Sequence, residues 1–292
     1  MTYYVRAPGT CGEFIQGAID GQSFLVTCPI NRYSYALSQV THPLPYYYCS
    51  LQPKANLACH LVKDTLKLSN HHDTAIYVRS DIIQGKGMAS SSADIAVAAM
   101  ATALSLNKTL TPKELERICL AVEPTDAAFY SGITQFDYIN GSICNFLGIC
   151  PPLKILIFDE GGTVDTISFN KQKDLSYKIQ EKEPIIKEAL DLFKRGLKTH
   201  DITLIGQAAT LSAFANQRIL YKQNLYEFHD IGNMFHSVGT IIAHSGTIIG
   251  LLFPSDYTAI DECRAYIEKK IPTLRYIDIV ETTNEGLTYI KR

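Results

Sequence analysis

"QGKGMASSSADIAV", residues 84–97, is the stretch on which the fold of this chain turns. Gly85 and Gly87 precede a run of serines, Ser90, Ser91 and Ser92. Glycine and serine disfavour a helix interior, and serine is poor core material. Before the stretch, "AIYVRSDI" (75–82) alternates as a strand does. After it, "ADIAVAAMATALSL" (93–106) is apolar on nearly every face, which predicts a buried helix. A glycine-rich turn that opens a helix presents unpaired N–H groups and the positive end of the helix dipole, a setting that suits phosphate. Gly85 and Gly87 would let the backbone come close, and the serine hydroxyls could donate to phosphate or ligate Mg²⁺. Lys86 faces either phosphate or solvent. Neither GxxxxGK[ST] nor GxGxxG with an acidic partner is present. Taken alone, the loop is equally a serine cap with a flexible approach.

Working outward, "TPKELERICLAV" (111–122) is the clearest helix. Thr111 caps it, Pro112 fits its first position, and Glu114 completes a capping box. Leu115, Ile118, Cys119 and Val122 form its apolar stripe. Pro124 ends it near "EPTD", leaving Glu123 and Asp126 at its C-terminal end. By themselves these two carboxylates are a polar helix stop. The first 50 residues read as β structure, and "GSICNFLGI" and "PPLKILIFDEGG" read as two more strands. Beyond about residue 165 the texture becomes helical. Two amphipathic helices meet near "KTHD", a third covers "LYEFHDIGNMFHSVG", and "YTAIDECRAYIEKKI" is a fourth. "TIIAHSGTIIGLLF" is a small-residue turn leading into a strand, and "LRYIDIVETTNEGLTYI" closes the chain with strands.

Composition narrows the class. The 292 residues are 46% apolar and 19% charged with a net charge of −2, so no basic surface points to nucleic acid. No apolar run approaches the ~18 residues of a membrane span. "MTYYVRAPGT" lacks a basic n-region followed by an apolar h-region, so no signal peptide is expected, and the eight cysteines form no metal-type cluster. Reduced thiols in the cytoplasm are the expectation. "NHHD" (70–73) reads as a solvated loop rather than a metal site, since adjacent residues rarely ligate one ion. Tyrosines such as "YYY" (46–48) could stack on a base, or pack in the core or at an interface.

The loop resembles the second motif of the GHMP kinases, which phosphorylate small alcohols. Gly87, Met88, Ala89, Ser90, Ser91, Ser92 and Ala93 fit its pattern of a glycine, an apolar residue, a small residue, serines and small residues. "APGTCGEFIQG" (7–17) is similar to the family's N-terminal motif, and "AHSGTIIGLLF" (243–253) stands where its late glycine-rich motif falls. With "EPTDAAFYSG", these stretches look like the L-threonine kinase branch, which makes O-phospho-L-threonine for the aminopropanol linker of cobalamin. The first motif departs from the wider family in having Thr10 where a basic residue is usual, and the third has His244 and Ser245 in place of a glycine cluster.

The resemblance implies an α+β, two-domain GHMP kinase fold. Residues 1–165 would form a β-rich N-terminal domain with phosphate loop and acids, and 166–292 a ferredoxin-like α/β C-terminal domain with the late glycine motif. It implies ATP, its phosphates held by Gly85, Lys86, Gly87, Met88, Ala89, Ser90, Ser91 and Ser92, and one Mg²⁺ on Ser91 and Glu123. Asp126 would act on the substrate hydroxyl. For an amino acid substrate, Glu13 is the candidate for the ammonium group, with Thr10, Cys11 and Gln16 nearby in sequence; Ser131 and the backbone near Gly246 are the candidates for the carboxylate, and Ser245 and Gly246 could also touch the γ-phosphate. Serine and homoserine remain alternative substrates, because a methyl group is worth only ~1–3 kcal/mol in a pocket. A sensor that has lost turnover, or a decarboxylase of a phosphorylated acid, are the other classes. A small-molecule substrate is the expected partner. The oligomeric state stays open, a homodimer among the options.

Overall fold

The computed structural model describes residues 2–40, 51–67, 74–162 and 175–291. "NHHD" and "YYY" lie outside them. The chain opens with a long hairpin, β1 (Thr2–Ile19) and β2 (Gln22–Val40). Asp20 and Gly21 make the two-residue turn, with φ of 51° and 76°, the type I′ arrangement whose twist matches the strands it joins. The register slips between Pro8 and Ile15, where the "PGTCGEF" motif lies. There Gly12 has a φ of +59°, and a Cβ on it would sit 2.2 Å from the Ile242 carbonyl oxygen. Only glycine allows the first motif to lie this close to the strand that precedes the late motif.

The hairpin organises one antiparallel sheet. β3 (Thr74–Ser80) and β4 (Ile133–Phe136) share the free edge of β2, and β5 (Cys144–Gly148) extends from β4. β1 gives its other edge to β7 (Gly239–Ile242) and β10 (Thr288–Lys291). The order continues through β8 (Ile248–Pro254), β6 (Leu153–Asp159) and β9 (Arg275–Glu281). β6, ahead of residue 165, thus hydrogen-bonds to β8 and β9 beyond it, and the segments on either side of that point share a sheet.

Among the described residues, three helices pack together ahead of β4: α1 (Pro53–Thr65), α2 (Ser90–Ser105) and α3 (Pro112–Val122). The capping box of α3 is present as the sequence predicts. α2 contacts β1, β2, β3, α1 and α3, which explains its apolar circumference. Its alanines let those neighbours approach, while Thr102 and Ser105 return their hydroxyls to backbone carbonyls of Ala98 and Thr102. In the second half, the short α4 (Leu175–Glu181) leads to α5 (Glu183–Thr199) and α6 (Ile202–Ala215), which pack together and against β1. α7 (Leu225–Met234) and α8 (Ile260–Lys270) enclose a second core with Phe158, Phe228 and Phe253. Sequence reading had no helix at α1 or α4. It took "TIIAHSG" for a turn entering a strand, but Thr240–Ile242 are themselves strand β7, so the turn joins two strands.

Candidate active site

Residues 84–89 connect β3 to α2 through three backbone positions of positive φ: Gly85 (73°), Gly87 (84°) and Ala89 (56°). Ala89, the N-cap of α2, offers no side-chain cap, so the first N–H groups of the helix have no such partner. Around Gly85 there is open space, whereas Gly87 is pressed on the late motif. A Cβ on Gly87 would lie 2.5 Å from the Ala243 Cβ, and one on Gly246 would lie 2.2 Å from the Lys86 carbonyl oxygen. The Thr247 N–H donates to that same oxygen at 3.1 Å, and the Thr10 N–H donates to the Met88 carbonyl at 3.0 Å. Three motifs far apart in sequence therefore meet backbone to backbone.

Across from the loop, the C-terminal end of α3 supplies acids. The Ser91 hydroxyl donates to one oxygen of Glu123, and the Lys54 ammonium from α1 pairs with the other. Asp126 is partly buried; its N–H donates to the Ser92 Oγ, and the hydroxyl donates back to its carboxylate, both at 3.4 Å. Burial, with the charge of Glu123 adding to it, pushes the Asp126 carboxyl up to about 6 against the pull of Ser92.

The other end of the cavity is made of side chains. Glu13 is buried, and its carboxylate accepts from the backbone N–H of His244 while its Oε2 has no partner. Burial first, then the nearby Asp126 charge, raises its carboxyl well above the ordinary range. The His244 ring is held by Gln16 through Nδ1 at 3.0 Å and meets the Tyr138 ring edge-on at 5.1 Å. Burial and the Lys182 charge lower His244 to about 3, so it is neutral near pH 7. Behind this wall, Lys182 donates to Asn216 Oδ1 at 2.8 Å and Lys222 donates to the Gly246 carbonyl. Burial depresses both amines, to about 7 and about 8.

One cavity of about 530 Å³ joins these parts. Gly85, Gly87, Met88, Ala89, Ser90, Ser91, Ser92, Glu123, Asp126, Glu13 and Ser245 line it, as the sequence reading groups them. The remaining candidates stand elsewhere. The Lys86 ammonium is drawn 2.6 Å from the buried carboxylate of Asp159 rather than to the cavity. Cys11 is a core residue, its thiol raised by burial, because the bulges around Gly12 turn it inward. The Thr10 hydroxyl is buried without a partner, and Gln16 serves His244 instead of the cavity. Gly246 lies beneath Lys86 and Gly87, and Ser131 is exposed and not among the residues that line the cavity. Sequence reasoning missed Lys54, Thr125, Tyr138 and the placement of His244. It also missed a smaller adjoining cavity of about 310 Å³ between α1 and β3.

The residues fit the groups that the sequence resemblance implies. Hydroxyl and carboxylate oxygens side by side at Ser91 and Glu123 are donors for a hard cation. The open loop at Gly85 and the uncapped N-terminus of α2 fit polyphosphate.

Known proteins resemble this chain in sequence and in structure. Residues 55–133 match the family model for the GHMP kinases N terminal domain. The L-threonine kinase of Salmonella typhimurium is 31% identical over 249 residues, 85% of this chain and 81% of that protein. The L-threonine kinase of Citrobacter freundii is 30% identical over 276 residues, 93% of each. The crystal structure of homoserine kinase from Cytophaga hutchinsonii superposes with a TM-score of 0.74 at 15% identity, covering 99% of this chain and 97% of the other.

Proposed function

The chain belongs to the GHMP kinases and is a small-molecule kinase, and we propose that it transfers the γ-phosphoryl group of ATP to the side-chain hydroxyl of L-threonine. The observation that carries the substrate class is Glu13: a buried carboxylate with an unpartnered oxygen, in the same cavity as Asp126 and the loop. Its match is a cation small enough to enter, which the α-ammonium of an amino acid provides. Likeness to two L-threonine kinases over most of the chain supports threonine within that class.

In this reading residues 1–165 hold the phosphate loop and the acids, and 166–292 hold the late motif that backs the loop. The N–H groups at 87–92 bind the phosphates, and Ser91 and Glu123 hold the metal. Mg²⁺ bound there supplies charge neutralisation and alignment of the phosphates. Glu13 anchors the ammonium, and Tyr138 and His244 wall the space beside it. Asp126 orients the hydroxyl and accepts its proton. In a loose transition state the proton leaves late, so a carboxylate near pKa 6 is sufficient. A cytoplasmic site of action, and supply of the aminopropanol linker of cobalamin, complete the proposal. Among the described residues no helix is long and apolar enough to cross a membrane.

The test is ADP release with ATP and Mg²⁺ across L-threonine, L-serine, L-homoserine, mevalonate and galactose. Expected is O-phosphothreonine with kcat/KM for threonine roughly tenfold or more above serine. Turnover confined to an alcohol lacking an amino group would remove both the substrate and the role of Glu13.

A further inference from the structure

A cavity that takes a nucleoside triphosphate must balance up to four negative charges, and this one begins with carboxylates of its own. Glu13, Asp94, Glu123 and Asp126 all line it. Among the described lining residues, Lys54 is the single ammonium group. His244 is neutral, Lys86 is committed to Asp159 at 2.6 Å, and Lys182 and Lys222 are buried behind the wall on Asn216 and Gly246. The cationic side chain facing the phosphates is therefore contributed by α1, outside all the glycine-rich motifs.

We propose that Lys54 is a phosphate-binding residue that exchanges partners, from the Glu123 carboxylate to the phosphates of the bound nucleotide. The inference rests on the kinase reading above. Its geometric basis is the shared carboxylate. Ser91 and Lys54 occupy the two oxygens of Glu123, the same oxygens that would face a divalent cation. The phosphates of ADP or ATP carry more charge than the one carboxylate, so they draw the ammonium across without metal, and a metal arriving on Glu123 weakens the old pair further. The Lys54 side chain is 56% exposed and its ammonium sits on a flexible four-carbon stem, so its release desolvates nothing and strains no packing. Released, it stands beside the loop at Gly85–Ser91, which lines the same cavity. Lys54 would then be a charged contact to the nucleotide, present with or without metal.

The experiment measures ADP binding by calorimetry in EDTA, for the wild type, Lys54→Met and Lys54→Arg. Expected is a loss of about tenfold in affinity for Lys54→Met, the scale of one charge-assisted hydrogen bond. Lys54→Arg should recover most of it, and KM for L-threonine should hold within about twofold. If Lys54 served only to shape Glu123, Lys54→Met would raise the Mg²⁺ requirement while binding metal-free ADP like the wild type, and that result overturns the proposal. Should Lys54→Met not fold, Lys54→Gln carries the same measurement. Wild-type protein that binds no nucleotide would bring down the kinase reading and Lys54 with it. Normal wild-type binding with an unchanged variant removes Lys54 alone.

Discussion

The two ends of the cavity are built from different materials. At the phosphate end, recognition is mainly backbone, with Ser91, Glu123 and Lys54 beside it: the loop at 84–89, the uncapped start of α2, and Gly246 pressed beneath Gly87. At the amino acid end it is side chain: Glu13, Tyr138 and His244, brought together from β1, the segment after β4 and the turn between β7 and β8. Backbone recognition needs particular φ angles and close approach, so it leaves glycines in a row. Side-chain recognition needs only that strands distant in sequence end at one place.

Asp126, where the two ends meet, gives the largest expected effect. Asp126→Ala should lower kcat by roughly 10²–10⁴-fold while nucleotide affinity is kept. In the wild type, kcat should rise with pH through about 6, because the ionised carboxylate is the form that accepts the proton. A flat profile between pH 5 and 8 would take Asp126 out of proton transfer. Next is Glu13→Gln, which should raise KM for L-threonine roughly 10–100-fold and leave KM for ATP near its original value. The sign of its pH dependence follows from its raised pKa. Protonated Glu13 cannot pair with an ammonium, so threonine should bind more tightly as pH rises, and the glutamine variant should lose that trend. Equal changes in both KM values would erase the distinction between the ends.

At the phosphate end, Gly87→Ala should do the reverse. Its methyl group would fall 2.5 Å from the Ala243 Cβ at a φ of +84°. The strain is about 1–3 kcal/mol, and the loop must leave the late motif to relieve it. KM for ATP should rise about tenfold with KM for threonine little altered. If threonine binding fell in parallel, the ends would be one mechanical unit.

How much was legible follows the same division. Gly85, Gly87 and the serines could be read because their conformational demands are local, and so could the α3 cap and the acids at its end. Glu13 could be singled out only with the family's motif in view. Cys11, two residues away, was grouped with it by nearness in sequence, but the register slips on both sides of Gly12 turn it into the core. Lys54 was hidden by its helix. The buried stripe of α1 is Ala55, Ala58, Cys59 and Val62, mostly residues too small to stand out in a pattern of apolar spacing. His244 was seen as a departure from the family's glycines, but its partner Gln16 lies 228 residues earlier. Nothing in either local sequence announces the contact.

The smallest effect expected comes from Thr111, which belongs to neither end. Its side chain accepts from the Glu114 N–H at 3.2 Å, and Glu114 closes the box on the Thr111 N–H at 2.8 Å. Thr111→Ala should cost about 1 kcal/mol of stability. For a chain of this size that is a fall in Tm of about 2 °C. α3 spans three turns from this cap to Glu123, and the far end is held independently by Ser91 and Lys54. Fraying at Thr111 should therefore stop before it reaches the acids, leaving the Mg²⁺ titration unchanged. A shifted titration with so small a loss in Tm would mean that α3 transmits strain along its length. Glu123 would then be positioned by the helix that carries it, and the phosphate end would depend on side-chain packing as much as the amino acid end does.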